Sequence, residues 1–112
     1  MHAASLSNLG LVACQRGDFE IGQKRFAEAL GIATAQDDTW TIGNLLNHLG
    51  GVAFVHGDFE EARGHFERSL AVHHAAGIRC GEAESLRGLG QVAFRRQEYD
   101  TARKHYQDSA AI

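Results

Sequence analysis

Residues 49–70, LGGVAFVHGDFEEARGHFERSL, are one of three versions of the same phrase, which begin at Leu9, Leu49 and Leu89 and so recur at a constant spacing. The version at 9–30, LGLVACQRGDFEIGQKRFAEAL, agrees with it at 10 of 22 positions, and LGQVAFRRQEYDTARKHYQDSA at 89–110 agrees at 9, so the register holds without a gap. A fixed period means that one supersecondary unit is stacked on copies of itself, each covering a face that its neighbour leaves open. A single irregular core is thereby excluded.

Each block reads as the end of one helix, a tight turn and a second helix. In the middle block Leu46, Leu49, Gly50, Ala53 and Phe54 fall on one helical face. Gly57 then closes the helix in the left-handed conformation, and Asp58 opens the next by accepting from its free amides. Glu61, three residues on, completes the pattern of a capping box. Phe59, Ala62, Phe66, Ser69 and Leu70 make a second apolar stripe, small where two helices must approach and aromatic where a groove must be filled.

Carried along the chain, this predicts six helices. The first starts near Ala3 to Ser5 and runs to about Arg16, with Leu6, Leu9, Val12 and Ala13 inward. The second spans Phe19 to about Ala35, and Asp37 and Asp38 supply a turn and N-cap. The third runs from about Thr39 to His56 and buries Trp40 or Ile42, with Leu45, Leu46 and Leu49. Trp40 is expected to pack at a repeat interface. The fourth extends from Phe59 to about Ala76, its apolar face prolonged by Ala71, Val72 and Ala75, and Gly77 closes it. The fifth runs from about Gly81 to Arg96, and the sixth from Tyr99 to the last residue, Ile112. Gln97 stands where the other blocks have a turn glycine. A left-handed glutamine would cost up to about 1 kcal/mol, so the third turn is expected to be looser or differently shaped.

The repeat columns resemble the tetratricopeptide repeat. Leu49, Gly50, Ala53, Gly57, Phe59, Ala62 and Phe66 carry the resemblance, with Leu9, Gly10, Ala13, Gly17, Phe19 and Phe26 in the first block. Leu89, Gly90, Ala93, Tyr99, Ala102 and Tyr106 continue it in the third. Gly22 replaces the small alanine of the pattern and Ala13, Ala53 and Ala93 stand where an aromatic is common, which implies closer helix packing. The period exceeds the usual 34 or so and overlaps the 40 to 47 or so of HEAT and armadillo repeats, but the Leu-Gly and Gly-Asp-Phe columns favour the tetratricopeptide family. This longer-period form is similar to arrays in large bacterial signal-transduction ATPases and transcriptional regulators.

The resemblance implies an all-α solenoid of three helix-turn-helix repeats, about 1–36, 37–77 and 78–112, in one domain with a right-handed superhelical course. It implies a protein-interaction scaffold that takes a peptide, helix or repeat partner in a concave groove or at an open end. The alternative is an effector-sensing segment of a larger ATPase or regulator. By alignment the groove candidates are Ser7, Leu11, Cys14 and Gln15, then Asn44, Asn47, His48, Gly51 and Val55, then Arg87, Gln91 and Arg95, with Phe54 and Phe94 at the edge. Asn and Gln can bond a peptide backbone, and Arg can hold a carboxylate. Relatives that clamp the terminal carboxylate of chaperones use Lys, Asn and Arg columns where this chain has Ser7, Leu11, His48, Glu84 and Gly88, so that specialisation is not expected. A last helix with no cap points to a longer array, a partner or self-association through the terminal helices.

Composition narrows the classes further. A net charge of -3 argues against direct nucleic-acid binding, and no apolar run approaches a membrane span. The amino terminus, MHAASLSN, lacks the regions of a secretion signal, so a cytoplasmic location is expected. Cys14 and Cys80 are isolated and expected to be reduced. His65 and His105 share a column, but no cysteine or carboxylate cluster completes a metal site, and none is expected. Glu60 and Glu61 suit a helix start, Cys14 has no base fixed beside it, and Gly50 and Gly51 lie inside a helix instead of a phosphate loop. The expectation is a non-enzyme without cofactor.

Overall fold

The computed structural model describes residues 3–112, with side chains from Leu9 onward. Six helices follow one another: α1 (Ala3–Gln15), α2 (Phe19–Ala35), α3 (Thr39–Val55), α4 (Phe59–Ala76), α5 (Arg79–Arg95) and α6 (Tyr99–Ala111). No strand occurs among the described residues. The expected boundaries agree within a residue or so except at α5, which begins at Arg79 and not Gly81. Gly77 (φ 70°) ends α4, and the Ile78 carbonyl already accepts from the Glu82 amide at 3.1 Å, so the helix starts at once.

All five turns are the same object. The amide of Asp58 donates to the Ala53 carbonyl at 2.9 Å and that of Gly57 to Phe54 at 3.0 Å, the paired bonds of a Schellman motif. The same pairs recur at positions 17–18, 37–38, 77–78 and 97–98, at even intervals along the chain. The motif needs a left-handed residue, supplied by Gly17, Gly57 and Gly77 but also by Asp37 (φ 57°) and Gln97 (φ 63°). The third turn is therefore not looser: Gln97 takes the glycine conformation because two backbone bonds, at 3.0 and 2.8 Å, hold it there.

The capping box expected at Asp58 and Glu61 does not form. The Schellman bond has already taken the Asp58 amide that Glu61 would bond, and Glu61 lies 3.6 Å from His65 instead. Asp38 does act as an N-cap, accepting from the Thr41 amide at 3.3 Å and its hydroxyl at 2.6 Å.

The helices form hairpins α1–α2, α3–α4 and α5–α6, stacked so that α2 packs on α3 and α4 on α5. The odd-numbered helices also touch in sequence, α1 on α3 and α3 on α5, and so line one face of a body 42 × 31 × 18 Å. The core repeats with the sequence. Phe26, Ala29 and Ala33 of α2 meet Leu45, Leu49 and Val52 of α3, and Ala53, Ala62 and Phe66 meet Leu89 and Val92 of α5.

Close approach is achieved by glycine. A Cβ on Gly50 would stand 2.7 Å from the Phe66 ring and one on Gly88 2.5 Å from the same ring edge, so that edge fits where α3 and α5 both lack side chains. His73 sits the same way between Gly43 and Gly81, where a Cβ would come within 2.5 and 2.2 Å. Gly22 lets α2 approach α1, its absent Cβ only 2.4 Å from Cys14 Sγ, the closer packing expected of it. Ser69 Oγ donates to the Gly43 carbonyl at 2.9 Å, and in the next repeat Ser109 Oγ donates to Ala83 at 2.8 Å.

Some inward assignments are corrected. Leu9 and Val12 are 46% and 45% exposed, while Leu49 and Val52 in the same columns are 4% and 6%. The inner pair is covered by the even-numbered helix before it, and no described helix stands before α1. Leu6 lies outside the described side chains. Trp40 is 59% exposed and Ile42 packs on the core in its stead, since residues two apart point about 200° apart around a helix. On α4, Ala71 and Ala75 face solvent and Val72 is half-buried, while His73 takes the buried position.

Gly88→Ala should lower stability by about 1–3 kcal/mol by overfilling the Phe66 slot. Gly64→Ala, whose Cβ would meet nothing within 4 Å, should raise it by about 0.5–1 kcal/mol through helix propensity. Urea melts of the two variants check the contrast.

A pH dependence follows from His73. Neither ring nitrogen has a hydrogen-bond partner, and burial pushes the imidazole below its ordinary value of 6.5, against the opposing pull of the Gly43 carbonyl, Glu84 and Glu82. His48 and His65 are lowered by burial as well. The fold therefore holds the neutral rings. The unfolded chain takes up protons first as pH falls below about 6.5, so stability is full above that value and declines beneath it. His73→Phe, which suits the kind of slot Phe66 fills, should shrink the acid-side fall in Tm measured over a pH series.

Candidate functional site

The face lined by α1, α3 and α5 is opened by missing side chains. Gly51 points into open space, with nothing within 4 Å of where its Cβ would be, and Gly88 leaves Phe66 visible from that side. The result is a cleft of about 470 Å³. Phe26 and Phe66 form its apolar floor, Leu11 and Cys14 its α1 wall, Val52 and Val55 the middle, and Phe19 one end. Its polar groups are Asn47 and His48 on α3 and Glu84, Arg87 and Gln91 on α5.

Of the candidates named from sequence, Asn47, His48, Arg87 and Gln91 line this cleft, together with Leu11, Cys14, Gly51 and Val55. Gln15, Asn44, Phe54 and Arg95 are not among its lining residues. Phe54 packs on Phe59 with centroids 5.7 Å apart, and the Arg95 guanidinium lies 5.5 Å from the Phe54 ring centre, a cation–π contact between repeats. Phe94 lies at the α6 end against Tyr99, and Ser7 falls outside the described side chains. Sequence reasoning omitted Phe19, Phe26, Val52 and Phe66 from the groove and named Glu84 and Gly88 only as clamp columns. The available signal was glycine at Gly51 and Gly88, which uncovers the rings behind.

Asn47 carries the most pointed feature. It is 5% exposed, and its Oδ1 accepts from Ser85 Oγ at 3.0 Å. Ser85 Oγ also lies 2.9 Å from Ser69 Oγ and from the Gly81 carbonyl, so buried polar groups of α3, α4 and α5 meet at one point. Asn47 Nδ2 has no partner. Whichever way the amide is turned, one end meets Ser85 and the other is unsatisfied, at a cost of about 1–3 kcal/mol.

Around it the cleft is electrically mixed. Glu84 and Arg87 stand one turn apart on α5. His48 stacks on Phe26 with centroids 5.3 Å apart and planes 10° from parallel, and burial lowers its pKa against the field of Glu84. Cys14 is half-buried, which pushes its thiol up. Such a surface can hold an uncharged or zwitterionic chain by hydrogen bonds over an apolar floor. Among the described residues no group of three histidines, cysteines or carboxylates could hold a metal ion, and no helix is long and apolar enough to cross a membrane.

The family model described as tetratricopeptide repeat matches residues 41–112. No curated protein matches the chain in sequence. Among solved structures, the chain is similar to the TPR domain of Arabidopsis FLU, at 19% identity and a TM-score of 0.90, covering 97% of this chain and 92% of that one. It is similar to BtubC (BKLC) from P. vanneervenii at 22% identity and a TM-score of 0.89, covering 97% of this chain but spanning only 45% of that one. The N-terminal domain of stress-induced protein-1 (STI-1) from C. elegans matches at 18% identity and a TM-score of 0.82, covering 97% and 82%. These likenesses concern the fold.

The cleft can be probed through its thiol. At neutral pH iodoacetamide should alkylate exposed Cys80 first and Cys14 several-fold more slowly, because burial disfavours the Cys14 thiolate. Mass spectrometry of the two peptides over time checks the order.

Proposed function

Because this chain belongs to the tetratricopeptide repeat family, we propose that it is a protein-interaction module whose cleft between α1, α3 and α5 holds a peptide or helix of a partner protein. The reading rests on one observation: the unpaired amide end of Asn47, buried in a residue that lines the cleft. A fold that leaves a hydrogen-bonding group unsatisfied beside the aromatic floor of a cleft gains when a ligand supplies the missing partner. A peptide carbonyl or polar side chain serves, with flanking apolar side chains on Phe26 and Phe66. Arg87 and Gln91 bond the rest of its backbone or side chains, and His48 presents a neutral ring. Glu84 disfavours an anionic chain end close to it, so the favoured ligand is an internal segment or one with a basic residue near α5.

The test is selection from a displayed random-peptide library, followed by affinity measurement with variants. Gly51→Phe, whose Cβ would meet nothing within 4 Å, puts a ring into the cleft and should reduce peptide affinity at least tenfold with Tm not lowered. Asn47→Leu removes the unpaired polar atom and should leave stability equal or higher, yet weaken binding by about 1–2 kcal/mol. Equal affinity of both variants and the original chain would remove the cleft from consideration.

A further inference from the structure

The contacts that join successive repeats are repeated in kind, and one half of a further contact is present at each end. At each internal joint an even-numbered helix offers an aromatic ring, Phe26 or Phe66, beside a Leu–Val pair on the following odd-numbered helix, Leu49 and Val52 or Leu89 and Val92. Polar contacts reinforce this. The Phe19 ring meets His56 edge-on at 4.9 Å, and Glu60 pairs with Arg96 across the α4–α5 joint while bonding Arg63 of its own helix at 2.8 Å.

Shifted by one repeat, each partner has a counterpart. Tyr106 takes the column of Phe66, and on α6 it lines an apolar cleft of about 450 Å³ with Phe94, Tyr99, Ala102 and Ala110. At the other end Leu9 and Val12, in the columns of Leu49 and Val52, are nearly half exposed. The charges are in register too. Asp100 takes the column of Glu60 and has Arg103 of its own helix at 3.9 Å, as Glu60 has Arg63, but its carboxylate is fully exposed and pairs with no second arginine among the described residues. Arg16 takes the column of Arg96 and is exposed.

From this register we propose that the occupant of the α6 face is a second copy of this chain: α6 of one copy packs on α1 of the next, with Tyr106 beside Leu9 and Val12 and Asp100 paired to Arg16, continuing the α4–α5 joint. A two-fold dimer through α6 would leave Arg16 without its acidic partner and Leu9 and Val12 uncovered. The head-to-tail arrangement joins unlike surfaces, and because it repeats the offset of the α4–α5 joint, which advances the stack from one repeat to the next, it builds short open filaments and not a ring. The proposal is independent of what the α1–α3–α5 cleft binds.

Sedimentation of the whole chain over a wide concentration range tests it. The average mass should rise from 12.2 kDa with concentration and pass twice that value without a plateau. Val12→Lys spoils only the α1 face and Ala110→Arg only the α6 face. Both positions are solvent-facing, so the fold is kept. Each variant alone should stay at the mass of one chain. An equimolar mixture retains one working joint and should stop at a pair. Reversing both charges in one chain, Arg16→Glu with Asp100→Arg, should associate more strongly than either reversal alone. A monomer at every concentration, a plateau at twice the chain mass for the unaltered protein, or a variant mixture that remains single would overturn the proposal.

Discussion

The structure depends on rings held between two glycines. Phe66 lies between Gly50 and Gly88, and His73 between Gly43 and Gly81, each pair drawn from two successive odd-numbered helices. One side chain on α4 thereby fixes the spacing and rotation of α3 and α5 together. A large residue with two absent neighbours conserves volume, and the first repeat shows the compensation. His48 stands in the Gly88 column, and its imidazole stacks on the Phe26 ring in place of a helix backbone. Ala33 stands in the His73 column, with Thr41 in the Gly81 column. The same total volume is shared differently, as close-packed interiors require.

This packing also makes the concave surface. Where Gly51 and Gly88 allow it, rings buried against neighbouring helices present an edge to the cleft, so the floor belongs to the core and its walls to the odd-numbered helices. The meeting of Ser69, Ser85 and Asn47 ties α3, α4 and α5 at the same point. A ligand that pairs with Asn47 thus acts on the joint between the second and third repeats and not on a passive surface.

Much of the fold was legible because its signals are local. Leu-Gly, Gly-Asp-Phe and the small and aromatic columns report helix faces and turns within a few residues of each other, and the constant register carries them through the chain. The misreadings arose where a local rule met a competing contact. Glu61 could not complete a capping box because the Asp58 amide was already engaged by the preceding helix. Gln97 took a left-handed conformation because the turn's backbone bonds outweighed its preference. For the cleft, column alignment found Asn47, His48, Arg87 and Gln91. It could not separate them from Gln15, Asn44, Phe54 and Arg95, which share the odd-numbered helices but do not line the cleft, Phe54 packing on Phe59 and Arg95 on Phe54.

By itself the sequence determined the repeat, the six helices, the places of the five turns and most of the residues facing inward within a repeat, since these follow from periodicity and backbone chemistry over short spans. Tertiary structure decided which inward residues are buried, as Leu9 and Leu49 make plain: identical residues in identical columns differ by whether a helix from the preceding repeat lies over them. It also decided that His73 would be sealed without a partner and that Asn47 would keep one amide end unpaired. Burial and hydrogen-bond satisfaction are properties of three helices brought together, and no single helix's sequence contains them.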